Sequence, residues 1–117
     1  LANHAYKIPI VDAPEPPVVH AAPTDQDALR RVVKARMGQL QYCYEHIAKS
    51  QAAHIGGRLE VAWTIADGRV LDTWIVANGT GSADLAQCVL DKISRWRFDG
   101  VVSADAQWPF VFTQKGG

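Results

Sequence analysis

Cys43 and His46 are a thiol and an imidazole three residues apart, a spacing that one helical turn brings into touch. Such a pair could serve a thiol enzyme as nucleophile and base. The rest of that chemistry is missing. No Asn or Asp is spaced to orient the imidazole, no glycine-rich turn around the cysteine offers an oxyanion site, and His46 projects toward the polar side of its helix. Adding His54 gives three zinc ligands, one of them in a loop, where a closed structural site takes four. The chain also contains no HExxH, no paired-carboxylate motif and no phosphate-cradling glycine pattern. The residues therefore point away from an enzyme, and they designate no catalytic residue, no metal ligand, no cofactor and no small-molecule substrate.

Arg95-Trp96-Arg97-Phe98 alternates cations with aromatic rings, as a nucleic-acid surface does. Helical periodicity assigns Trp96, and Phe98 with it, to the core, leaving cations that suit the carbonyl end of a helix. The charge balance agrees: twelve basic against twelve acidic side chains supply no general drive toward a polyanion. Nucleic acid is not an expected partner.

The elements that must position these residues are those of one small domain, since 117 residues with 48% hydrophobic content build a single modest core. No apolar run approaches the ~20 residues that span a bilayer, and Leu1-Ala2-Asn3-His4 has neither an initiator Met nor a signal-like apolar stretch. The chain reads as soluble and as a piece of something longer.

Five of its six prolines fall in the first 23 residues, which read as a semi-rigid linker. The valines and isoleucines there (Ile8, Ile10, Val11, Val18, Val19) exceed what a bare spacer needs and allow part of it to lie along the domain. Thr24 and Asp27 resemble a capping box opening a helix to about Ser50. Leu29, Val33, Met37, Leu40, Tyr44 and Ile47 form its apolar stripe, with Cys43 about 60° from Leu40 at the border.

Leu59, Val61, Trp63 and Ile65 alternate with more polar residues as a strand ending in the hairpin signal Asp67-Gly68. A regular two-residue hairpin would turn Asp72 and Trp74 inward beside Trp63 and bury a carboxylate. A one-residue bulge after Val70 instead turns Thr73 and Ile75 inward and leaves Trp74 outside. Ser82 caps a second helix running to about Arg95, with Leu85, Val89, Ile93 and Trp96 on its inner side and Cys88 about 60° from Leu85. The two cysteines, 45 positions apart, are either a disulfide or two free core thiols.

Trp108-Pro109-Phe110-Val111-Phe112 is the last strand, with Trp108, Phe110 and Phe112 inward. The order helix, strand, strand, helix, strand gives a two-layer α+β domain: a three-stranded antiparallel sheet under two helices, spanning residues 24–114. Pro109 has no amide proton, which places its strand at a sheet edge. An edge accepts an extended segment of another protein by strand addition. The candidate partner-binding residues are therefore Gln107, Trp108, Pro109, Phe110, Val111, Phe112 and Thr113, with Trp74 and Tyr42 as exposed anchors. A rival reading has this edge occupied by the chain's own linker or by a second copy.

Gly57-Arg58-Leu59-Glu60-Val61, Asp67-Gly68-Arg69-Val70 and Arg95-Trp96-Arg97-Phe98 with a closing aromatic strand resemble the C-terminal domain of TonB-type energy transducers. Gln41-Tyr42-Cys43-Tyr44-Glu45, Cys88 and Trp108-Pro109-Phe110-Val111-Phe112 look more specifically like the AgmX/PglI C-terminal domain of myxobacterial and related proteins. The resemblance covers residues 24–113. It implies a periplasmic domain at the C-terminal end of an inner-membrane-anchored protein and a connection with gliding motility. It also implies non-enzymatic coupling of an inner-membrane proton-motive motor, reached through the rest of the chain, to an outer-membrane or periplasmic protein segment. An oxidising periplasm would make Cys43 and Cys88 a disulfide. TonB proper carries a Gln-Pro-x-Tyr-Pro segment before its first strand; this chain has a cysteine-bearing helix there.

Overall fold

A computed structural model describes residues 7–13, 18–50 and 54–116. The described elements are β1 (Lys7–Asp12), β2 (Val18–His20), α1 (Pro23–Ser50), β3 (Gly57–Ala66), β4 (Arg69–Asn78), α2 (Ala83–Ser94) and β5 (Ser103–Gly116). The α+β class and the two helices are as the sequence implies. The sheet differs: it has five strands, ordered β1-β5-β3-β4, with β2 also paired to β5.

The two added strands come from the proline-rich segment. Antiparallel pairing matches Lys7 through Asp12 with Gly116 back to Val111, and Val18 through His20 with Gln107 back to Asp105. Alternation explains why they dock: Val11 and Val19 fall opposite the buried Phe112 and Ala106 and pack against the core, which a fully solvated linker would forgo. The Pro14-Glu15-Pro16-Pro17 run lies outside the described residues.

Helix α1 starts one residue before the predicted cap. Pro23, with φ preset and no amide to satisfy, takes the first helical position, and the Gln26 amide donates to the Ala22 carbonyl at 2.9 Å. The Asp25 carboxylate instead accepts from the Val102 amide at 3.2 Å. Leu29, Val33, Leu40, Cys43 and Tyr44 of this helix are buried. Helix α2 begins as expected: Ser82 Oγ accepts from the Leu85 amide at 3.0 Å.

The β3–β4 hairpin turns through Asp67 and Gly68, both at positive φ, and matches the bulged register. Ile65 pairs with Val70 and Thr64 with Asp72, so Leu71 is the extra residue, and Thr73 and Ile75 face inward. A second shift leaves Val76 unpaired, a feature absent from the sequence reading. At the far end of the hairpin, Gly57 (φ 129°) lies so close to Gly79 that an added Cβ would come within 2.5 Å of the Gly79 carbonyl oxygen.

Beneath the helices, Trp63 stacks on Trp108 (centroids 6.2 Å, interplanar 13°) and on Phe98, and meets Trp96 edge-on. The Tyr44 ring packs edge-on to Phe112 at 5.2 Å, and its hydroxyl donates to the Ile55 carbonyl at 2.8 Å. Cys43 and Cys88 form a disulfide between α1 and α2, with Cα atoms 5.9 Å apart. Their bordering positions on the two helices are where such a bridge must sit.

Reducing that disulfide opens a 45-residue loop and should cost about 4 kcal/mol of stability in the chain-entropy view, read as a lower urea midpoint in dithiothreitol. A Cys43→Ser/Cys88→Ser variant should show the lower midpoint without reductant. Burial raises the Tyr44 pKa, against a smaller lowering by a Gln114 hydrogen bond. The unfolded chain therefore ionises this phenol first: the contribution is intact below pH about 10 and lost as pH climbs through the folded-state value. Tyr44→Phe should cost about 1–2 kcal/mol at neutral pH, and urea titrations should show the gap to the parent closing at alkaline pH.

Candidate functional site

The expectation that the closing strand lies at a sheet edge is corrected by the structure. All of β3 pairs with β5, from Gly57 with Phe112 to Ala66 with Ser103, while β1 and β2 lie along the other flank of β5. The proline signal was real but local. Pairing with β1 ends at Val111 and pairing with β2 resumes at Gln107, so Trp108, Pro109 and Phe110 have described ladder partners on β3 alone. Pro109, which lacks an amide proton, is thus a single position in a strand flanked on both sides, and one such position does not make the strand an edge.

The seven β5 candidates divide by parity. Trp108, Phe110 and Phe112 are buried in the core; Gln107, Pro109 and Val111 are half-buried and Thr113 is exposed, on the face of the sheet turned from the helices. That face is laid out in rungs. One carries Trp74, Ala62 and Gln107, and the next Ala77, Glu60 and Pro109. Across them Gln107 Nε2 donates to Glu60 Oε2 at 2.9 Å, and Arg58 Nε donates to Glu60 Oε1 at 2.9 Å. Those two hydrogen bonds, Gln107's first, hold the Glu60 carboxyl below the usual carboxylate range.

Trp74 is 43% exposed on this face, as expected of a surface anchor. Tyr42 is 56% exposed but lies on the helical layer, stacked on His46 (centroids 5.8 Å) with Lys92 Nζ 5.3 Å from the ring centroid. The structure therefore does not gather Tyr42, Trp74 and β5 into one site. Cys43 is committed to the disulfide, so the Cys43 and His46 pair holds no thiol. Among the described residues no three His, Cys, Asp or Glu side chains are grouped as metal ligands, and no helix is long and apolar enough to cross a membrane.

Among the described residues the sheet has two edges, one formed by β1 and β2 and the other by β4. The first residue of β4, Arg69, bridges to Arg97, and from Val70 onward no described strand lies outside it. Leu71 and Val76, the two residues out of register, are 67% and 45% exposed along it. Bulges of this kind twist an edge and spoil its regular array of amides, a recognised defence against unwanted pairing. The sequence carried the first bulge through Asp72; nothing in it marked the second.

Comparisons with protein-family models, with curated proteins and with solved structures found no match.

Replacing the two tryptophans separates surface from core. Trp74→Ala should leave the unfolding free energy within about 0.5 kcal/mol of the parent, whereas Trp108→Ala should remove about 3–5 kcal/mol, both read from urea titrations.

Proposed function

We propose that the chain is a non-enzymatic docking domain whose strand-addition flank, on β5, is held by its own N-terminal segment and is offered to a partner when that segment leaves. The observation that carries this reading is the asymmetry of the two ladders on β5. The inner one, to β3, is continuous over ten rungs. Among the described residues the outer one has six rungs from β1 and three from β2, contributed by two separate short strands. Short strands on an outer flank open before a long central ladder does, and what they uncover is a row of amides and carbonyls suited to an extended peptide.

The TonB-like resemblance extends the proposal. In that setting the domain sits in the periplasm at the end of an inner-membrane-anchored protein of the AgmX/PglI type, and the proline-rich segment is the arm through which a proton-motive motor reaches it. The partner is an outer-membrane or periplasmic segment, in the service of gliding motility. Supporting this are the quoted motifs and a disulfide of the kind an oxidising compartment permits. A second reading keeps the same flank but fills it with the N-terminal segment of a neighbouring copy, making the domain an assembly element. It is favoured by the position of β1 and β2, which precede α1 in the chain and pair only with β5, since an amino-terminal arm of this kind can be exchanged between protomers.

Charging the inward side of the arm tests both readings. In a Val11→Asp/Val19→Asp variant, amide exchange at residues 105–107 and 111–114 should rise at least about tenfold while the β3 amides stay protected. A synthetic peptide of residues 7–20 should then bind the variant and restore protection, and should not bind the parent chain. A variant that opens yet takes up no added strand would refute the docking reading; concentration-dependent dimers of the parent would favour the assembly reading.

A further inference from the structure

Arg36, Gln39, Lys92, Arg95, Trp96 and Arg97 line one open cleft of about 400 Å³ where α1, the end of α2 and the segment after it meet. Four of the six are cations, drawn from three separate stretches of a chain with no net charge. We infer that this cleft is a second binding site, independent of the β5 flank, which takes an acidic peptide segment of a protein partner.

The cations are not balanced from within. Among the described residues no carboxylate lies within ion-pair distance of Arg36, Lys92 or Arg95, and Arg97 reaches Asp99 only at 4.0 Å, with both side chains largely in solvent. Lys92 and Arg95 also line the neighbouring groove with Asp84 and Asp91, beyond ion-pair distance, and Asp91 accepts from Gln87 at 3.0 Å. The carbonyl end of α2 accounts for a cation at Lys92 and at Arg95. It does not account for Arg36, midway along α1, or for Arg97. Nor are all the lining groups loose. Trp96, 3% exposed, donates its indole N–H to Gln39 Oε1 at 2.8 Å, which fixes the Gln39 amide and leaves its NH₂ as a further donor at the cleft. The lining side chains are rich in donors: guanidinium forks that match carboxylates, an ammonium and an amide.

The same residues disfavour other anionic partners. A nucleic acid needs a free exposed ring on which to stack a base; the one aromatic lining residue, Trp96, is buried with its N–H engaged, and the exposed Tyr42 beside Lys92 is stacked on His46. A lipid surface needs apolar side chains at the rim to insert, and none of the exposed large hydrophobic residues, Tyr42, Leu71, Trp74, Val76 or Val102, lines the cleft. Cations spread around a space this size suit several carboxylates carried along a chain.

The experiment uses the whole 117-residue chain with its disulfide intact. Hexaglutamate is titrated in and followed by backbone, arginine-side-chain and indole NMR shifts at low and moderate salt. Shifts should centre on Arg36, Gln39, Lys92, Arg95, Trp96 and Arg97. Affinity should fall with salt, and by about fivefold or more in Arg36→Gln/Arg95→Gln, with no change in Lys49→Gln. Thermal melting confirms that both variants fold. The inference is overturned if the shifts lie elsewhere, if Lys49→Gln weakens binding equally, or if inorganic phosphate at the same concentration reproduces the shifts. Tighter binding at these residues by oligothymidylate or by phosphatidylglycerol vesicles would overturn it as well. Because none of these readouts involves β1 or β2, failure here leaves the strand-exchange proposal standing, and the reverse also holds.

Discussion

The ladder between β3 and β5 is the constraint from which the other placements follow. Its register sets Leu59, Val61, Trp63 and Ile65 opposite Phe110, Trp108, Ala106 and Ala104, all of them buried. Slipping either strand by one residue would turn every one of these to the other face, exchanging Trp63 and Trp108 for Glu60, Gln107 and Asp105 beneath the helices. The cost of burying those polar groups fixes the parity of the sheet. Once it is fixed, Val11 and Val19 can reach the core only in the pairing observed, and Trp74 can only face away.

Much of this was legible in the sequence because burial and charge act locally. Asp72 reported the hairpin bulge, since the unbulged alternative would bury its carboxylate. Ser82 reported the start of α2 through a single hydroxyl. The cysteines lay at flanking positions on two helices, and their pairing was implied by resemblance before geometry bore it out. The N-terminal strands were harder to foresee: prolines are frequent in linkers, and only the surplus of valine and isoleucine hinted that part of this one packs. Pro109 misled because a missing amide proton marks one unpaired position, whereas an edge is a property of a whole strand. The cation cleft could not be seen at all, because Arg36 lies more than fifty residues from Lys92, Arg95 and Arg97 and only the packing of α1 against α2 brings them together.

Formal neutrality conceals an uneven surface. The open sheet face is polar and internally compensated, with Arg58, Glu60 and Gln107 answering one another. The end of the helical layer is not, and the Arg69–Arg97 bridge ties the segment carrying its cations to the first residue of β4. The two proposed sites therefore differ in what they ask of an occupant. The β5 flank, as proposed, takes backbone in an extended conformation, largely indifferent to side-chain charge. The cleft, as proposed, takes charge with little demand on backbone shape.

The disulfide has a mechanical consequence. Cys43 and Cys88 enclose the end of α1, all of β3 and β4 and the first turn of α2. Tension along the polypeptide passes from one sulfur to the other and skips everything between them. About 150 Å of contour length, the fully extended span of the 45-residue interval, is thus withheld from stretching. Among the described elements, a tug from the amino-terminal side reaches the six rungs of β1 before it reaches α1, while the hairpin stays slack inside its covalent noose.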